Sequence, residues 1–127
     1  MTDYSFDSNI VIDALNRIDA ARAALRAADR AWLSRVCWIE VMSKVTGPSM
    51  REMRIFLDGF AIEEVDAEVC ERAAALRRER PRLKLPDAVI FASAQANGRI
   101  LVTRNIKDFP VDMPGIRVPY LFQPGQA

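Results

Sequence analysis

The sequence predicts a three-layer α/β/α sandwich around a mostly parallel sheet. Three observations predict it. Short β-type runs alternate along the chain with stretches whose apolar residues recur at helical spacing. The run Ile100-Leu101-Val102-Thr103 has the continuous apolar character of a strand buried on both faces. Capping residues and breakers fall between these segments rather than inside them.

In order, Tyr4-Ser5-Phe6 reads as a first strand ending at Asp7. Residues 8–15 turn helical, with Asp7 or Ser8 as N-cap. Residues 18–30, rich in Ala and Arg, read as a second helix, and 32–36 as a second strand. Trp38, Val41, Met42 and Val45 give 37–45 a helical period, broken by Gly47-Pro48. Ser49-Met50-Arg51-Glu52 is a capping box opening a helix with Met53, Phe56, Leu57 and Phe60 on one face. Residues 61–65 form a third strand. Asp66 caps a helix running from 67 to about 80, stopped by Pro81. Pro86 suits the first turn of a helix reaching Asn97, and Gly98 is its expected stop. Residues 100–103 and 116–120 complete the strands, and 125–127 fray. The 127 residues fit a single domain over 1–127.

Composition narrows the chemistry. There is no histidine, which excludes Ser-His-Asp and Cys-His catalysis, His-ligated zinc and RNA cleavage by a histidine acid–base pair. An enzyme of this composition works with carboxylates, hydroxyls, cations or a hard metal ion held by oxygens. Net charge is only +1, so bulk electrostatics do not hold nucleic acid. The cations are uneven, 15 Arg against 3 Lys, and Arg suits phosphate or carboxylate contact. Cys37 and Cys70 form no CxxC pair and read as reduced thiols. Apolar runs are shorter than a membrane span and no signal-peptide pattern opens the chain, so the expectation is a cytoplasmic protein with no membrane association.

In parallel sheets the site lies at the carboxyl ends of strands. That rule selects Asp7-Ser8-Asn9, the turn over 37–40, and the loop over 103–108. Alone, Asp7 reads as an N-cap and Asp87 as a first-turn acid on a helix dipole. Glu40 is odder, a carboxylate among Trp38, Ile39, Val41 and Met42. The run Arg72, Arg77, Arg78, Arg80, Arg82, Lys84, with Glu71 and Glu79, reads as a solvated face with i,i+4 pairs; its functional reading is an RNA or partner edge leading to Asp87.

Four segments line up: Phe6-Asp7-Ser8-Asn9, Ile39-Glu40-Val41, Leu85-Pro86-Asp87-Ala88, and the stretch Leu101-Val102-Thr103-Arg104-Asn105-Ile106-Lys107-Asp108-Phe109. In these the chain resembles the PIN-domain family, most closely its VapC-like branch, over nearly its whole length. The resemblance implies that Asp7, Glu40 and Asp87 are metal-binding acids, with Asp108 as a helper. Ser8, Asn9 and Thr103 match polar positions that orient the acids or metal-bound waters. Asn105 stands 18 residues after the third acid, where many relatives have Asp, and would position water or substrate. Cys37 departs from a frequent Thr. Carboxylates a few ångströms apart repel unless a cation neutralises them, and Mg²⁺ or Mn²⁺ fits such oxygens. The implied activity is metal-dependent endoribonuclease cleavage by an activated water, leaving 5′-phosphate and 3′-hydroxyl ends.

The resemblance also implies a toxin paired with a cognate antitoxin, a homodimer, and contact with DNA only through the antitoxin. Arg104 and Lys107, inside the acidic loop, are candidates for RNA phosphate contact. Met42 and Phe56 are candidates for a groove that takes an antitoxin helix. Two other readings compete. One is a catalytically degraded PIN-like module that binds RNA or a protein partner, motivated by Asn105 and Cys37. The other is a Mg²⁺-dependent phosphatase or receiver-like domain, disfavoured because Asp7 has no acidic neighbour within two residues after it.

Overall fold

The computed structural model describes residues 2–44, 46, 47 and 49–122. Val45 at the end of the third predicted helix, Pro48 of the predicted break, and the predicted fraying at 125–127 lie outside the described residues. The elements run β1 (Asp3–Phe6), α1 (Ser8–Leu15), α2 (Asp19–Arg26), β2 (Arg30–Ser34), α3 (Arg35–Lys44), α4 (Met50–Asp58), β3 (Ala61–Glu63), α5 (Ala67–Glu79), α6 (Leu85–Ala96), β4 (Ile100–Val102) and β5 (Ile116–Arg117).

The five strands form one sheet in the order β3-β2-β1-β4-β5, with every pairing parallel. The predicted α/β/α class is therefore the observed one. β1 lies at the centre, and Phe6 is in register with Leu33 on one side and Val102 on the other. All three are buried. The segments that follow β1, β2 and β4 consequently emerge side by side at one edge of the sheet. Ile10, Val11, Val41, Ile90 and Phe91 pack against the same core.

Local chemistry accounts for most helix ends. Asp7 caps α1, Ser49 accepts from Glu52 N to open α4, and Asp66 accepts from Val69 N to open α5. Pro86 sits in the first turn of α6, one position later than the sequence predicts. Several boundaries depart further from expectation: β3 ends at Glu63 instead of 65 and β5 at Arg117 instead of 120, and two others have a visible cause. The second helix ends at Arg26 instead of 30, because Asp29 is drawn to the chain start: Asp29 N donates to Thr2 O at 2.8 Å, and Thr2 N donates to the Asp29 carboxylate at 2.7 Å. Arg30 then opens β2 and stacks its guanidinium on Trp32. β2 itself ends at Ser34 instead of 36, where Ser34 Oγ accepts from Val36 N at 3.2 Å and turns the chain into α3.

Gly98 ends α6 with φ +66°, a conformation that L side chains adopt at a cost. No atom lies within 4 Å of where a Cβ would stand, so the cost of Gly98→Ala is confined to the backbone. We expect about 1–2 kcal/mol of destabilisation, measured by urea unfolding, with Gly98→Asn recovering part of it.

Candidate metal centre

The carboxyl edge of the sheet carries an acidic cavity of about 250 Å³. Asp7, Ser8 and Asn9 enter it from the end of β1 and the first turn of α1; Glu40 comes from α3, Asp87 from the first turn of α6, and Asn105 and Asp108 from the loop after β4. Lys44 and Lys84 stand at its wall. The fold thus brings together seven of the residues selected from the sequence, although they lie up to a hundred residues apart along the chain.

Asp7 is the most enclosed, with 3% of its surface exposed. One carboxylate oxygen accepts from Ser8 N at 2.7 Å, and the other accepts from Thr103 Oγ1 at 2.7 Å and Asn9 Nδ2 at 3.3 Å. Burial nevertheless holds its pKa above the ordinary carboxylate value, the hydrogen bonds from Thr103 and Ser8 offsetting part of the effect. Glu40 accepts from Ser8 Oγ at 2.9 Å and lies 3.6 Å from the Lys44 ammonium, one helical turn on. Ser8 therefore links two acids through one short side chain.

Thr103 is fully buried beneath the cavity. Its hydroxyl donates to Asp7 and accepts from Asn105 N at 3.0 Å, fixing the start of the loop. Asn105 and Asp108 then bond reciprocally: Asn105 Nδ2 donates to the Asp108 carboxylate at 3.0 Å, and Asp108 N donates to Asn105 Oδ1 at 3.3 Å. Asn105 at the fourth position therefore orients Asp108 towards the cavity that both line.

Asp87 is half-buried among the other acids of the cavity. Burial above all, together with the charges of Asp7, Asp108 and Glu40, raises its pKa to about 6. A carboxylate set that raises its own proton affinity in this way is a set short of a cation. The donors fit a hard divalent ion: Asp7 and Glu40 offer oxygens that lie, with Cys37 Sγ, within 4.8 Å of one another. Cys37 is a protonated thiol, its pKa pushed well up by burial and by Asp7 and Glu40, and it donates to Phe6 O at 3.6 Å. Oxygen ligands thus dominate, which suits Mg²⁺ or Mn²⁺ over softer metals.

Four other residues picked from the sequence lie elsewhere. Arg104 is engaged by Asp13, with its nitrogens 2.6 and 3.1 Å from the two carboxylate oxygens, and stacks on Phe122. Tyr120 donates to the same carboxylate at 2.6 Å. This arginine is thus occupied in tying α1 to the end of the chain, which weighs against its expected contact with phosphate. Lys107 lines a second, basic cavity that adjoins the acidic one. Met42 and Phe56 are half-buried against the core on α3 and α4, away from the acids. Sequence reasoning missed Asp13 and Lys44, and favoured a solvated face for the run that contains Lys84. Asp13 had a signal: it is an acid among Ile10, Val11 and Ala14 on the buried side of α1.

The raised pKa of Asp87 has a stability consequence. A carboxyl with folded pKa near 6 and ordinary value 3.8 favours folding only while protonated. Its contribution is full below pH about 3.8 and is lost as pH rises through about 6. Metal-free protein should therefore lose on the order of 1–2 kcal/mol across that window, after allowance for solvent screening of this half-buried group. Asp87→Asn should flatten the loss in thermal unfolding followed against pH without metal.

Comparison with known proteins places the arrangement. The family model of the PIN domain matches residues 4–110. Among curated proteins none matches significantly. A chain of a toxin–antitoxin complex from Klebsiella pneumoniae superposes with a TM-score of 0.87 at 38% identity, covering 94% of this chain and 99% of that one. A chain of VapBC2 from Rickettsia felis, bound to a DNA fragment from its promoter, gives 0.74 at 22% identity over 96% and 100%. DNA-bound VapBC from Salmonella typhimurium gives 0.72 at 22% over 92% and 96%. The chain belongs to the PIN-domain family, and its build is VapC-like.

Proposed function

We propose that the protein is a Mg²⁺- or Mn²⁺-dependent endoribonuclease, the toxin of a toxin–antitoxin pair, acting as a single PIN-like domain over 1–127. The observation that carries this reading is the cavity in which Asp7, Glu40, Asp87 and Asp108 converge at the carboxyl edge of a parallel sheet. Asp7, Glu40 and Asp87 would hold the ion. When bound, it supplies Lewis-acid stabilisation of charge on a phosphate and a more acidic water.

The chain's own residues do the rest. Ser8 holds Glu40 in place while its backbone N–H holds Asp7. Thr103 and Asn9 fix the second oxygen of Asp7, so the carboxylate is oriented before any ligand arrives. Asn105 sets Asp108 beside Asp87, where the Asp108 carboxylate can accept a hydrogen bond from a water on the ion. Lys44 lies against Glu40 and offers a cation to a phosphate oxygen.

Total RNA and separately purified tRNA, incubated with Mg²⁺, Mn²⁺ or EDTA, test the reading. Cleavage should need the metal and fall by roughly two orders of magnitude in Asp7→Asn and Glu40→Gln. Saturating Mn²⁺ should also stabilise the fold by about 2–3 kcal/mol, an effect lost in Asp87→Ala. A binding-only module predicts neither result.

The Klebsiella relative, 38% identical, comes from a toxin–antitoxin complex. The corresponding reading here is a cognate antitoxin partner, a cytoplasmic homodimer, and DNA contact only through that antitoxin. Its docking groove would run along α3 and α4, where Met42 and Phe56 are half-buried and Ile39, Met50 and Ile55 are exposed. Met42→Glu and Phe56→Glu should weaken antitoxin binding by at least tenfold in titration calorimetry, as should Ile55→Glu, whose exposed site spares the fold. Unchanged affinity in folded variants would remove this surface from the proposal.

A further inference from the structure

The acidic cavity does not end at its own wall. A larger cavity of about 860 Å³ adjoins it, and the two share Lys84, Asn105 and Asp108. Its remaining polar walls are Arg80 and Arg82 from the loop between α5 and α6, and Lys107 from the loop after β4. The trough therefore changes sign along its length, from carboxylates at Asp7 and Glu40 to cations at Arg82 and Lys107.

The basic end is a fixed surface. Leu83 is buried with 2% exposure and anchors its loop, leaving its neighbours Arg82 and Lys84 exposed. Leu83 N donates to Arg80 O at 2.9 Å, and Arg77 Nε donates to Leu83 O at 3.2 Å. The Arg80 guanidinium donates to the Asp108 backbone carbonyl, locking the two cation-bearing loops together. Lys84 is the N-cap residue of α6, but its side chain makes no capping bond.

The cations are also available. Among the described residues, Arg35, Lys44, Arg72, Arg99 and Arg104 each form an ion pair, whereas Arg82, Lys84 and Lys107 form none. Three cations without an ion-pair partner among the described residues line one cavity against a single carboxylate, Asp108, and leave it net positive beside the acids. A ligand spanning the trough must bring anionic groups to both ends, one to a metal-loaded acid set and others to the basic cavity. A phosphodiester backbone has that repeat.

We infer that the cavity of Arg82, Lys84 and Lys107 is a subsite for backbone phosphates of a single-stranded polynucleotide, next to the phosphate held at the acids. This rests on the nuclease reading and deepens it. Lys84, which lines both cavities, binds the phosphate adjacent to the scissile one; Arg82 and Lys107 bind those beyond. Contact is to phosphate alone, so this subsite sets how the strand lies and not which bases are read.

The test is binding of a short fluorescein-labelled oligouridylate, by anisotropy across a salt series with Ca²⁺ in place of Mg²⁺. The log–log salt slope should flatten by about 0.7 for each contact removed, hence about 1.4 in the double variant Arg82→Gln/Lys107→Gln. Arg72→Gln, on α5 and paired with Glu68, should leave the slope unchanged. The Mn²⁺-induced rise in melting temperature is measured on the same proteins. An unaltered slope in the double variant, with the Mn²⁺ response intact, overturns the subsite and leaves the nuclease reading standing. Loss of the Mn²⁺ response in the wild type would instead strike the nuclease reading. Binding of a fluorescein-labelled oligoglutamate peptide but not of the oligouridylate would overturn the subsite in favour of a surface for an acidic protein segment.

Discussion

The site depends on one buried carboxylate. Asp7 follows β1 directly, caps α1 and faces the loop after β4, so three elements meet on a single side chain. Its backbone N–H is also committed, donating to Val102 O at 2.9 Å and extending the pairing of β1 with β4 by one residue. Burying a charge at this depth is unfavourable by several kcal/mol without partners. Ser8 N, Thr103 Oγ1 and Asn9 Nδ2 offset part of that cost, but burial still dominates its pKa. An uncharged cap such as Ser would start the helix as well. The acid is the costlier choice, which is physical ground for reading it as more than a cap.

From Asp7 the constraint spreads in two directions. Ser8 carries it to Glu40 and so fixes the first turn of α1 against the middle of α3. Thr103 carries it to Asn105, and the Asn105–Asp108 pair brings the last acid round to Asp87. Each linking residue is small and short of free torsions, so little side-chain entropy is lost in holding the acids together. The same loop reaches Arg80 through the Asp108 carbonyl, which couples the acidic cavity to its basic neighbour. Repulsion among the acids and the lack, among the described residues, of ion-pair partners for Arg82, Lys84 and Lys107 are thus two aspects of one unfinished charge balance.

Much of this was legible in the chain. Periodicity and caps located every helix, because α1, α4 and α5 start at side chains that bond their own first turns. The strand-end rule selected the segments that carry Asp7, Glu40 and Asp108. What escaped was set by distant partners. Asp29 is captured by Thr2, twenty-seven residues away, and shortens α2. Arg104 is captured by Asp13, ninety-one residues away, although its neighbours in sequence suggested a phosphate. Local propensity contains neither contact. The Arg-rich run after α5 is the instructive case. Arg72 does make the i,i+4 pair expected of a solvated face, while Arg82 and Lys84 lie past the end of α5 and form no ion pair among the described residues.

Charge arithmetic bears on how many ions the proposed centre would hold. Four carboxylates line the acidic cavity, from Asp7, Glu40, Asp87 and Asp108, against the ammonium groups of Lys44 and Lys84. The difference is two negative charges, the amount one divalent cation neutralises. An aspartate in place of Asn105 would add a fifth carboxylate beside Asp108 and leave three negative charges, one more than a single divalent cation neutralises. Asn105 instead donates to Asp108, so the neutral residue stabilises the acid that a charged one would repel. In the proposed nuclease, the substitution therefore follows the logic of a one-metal centre.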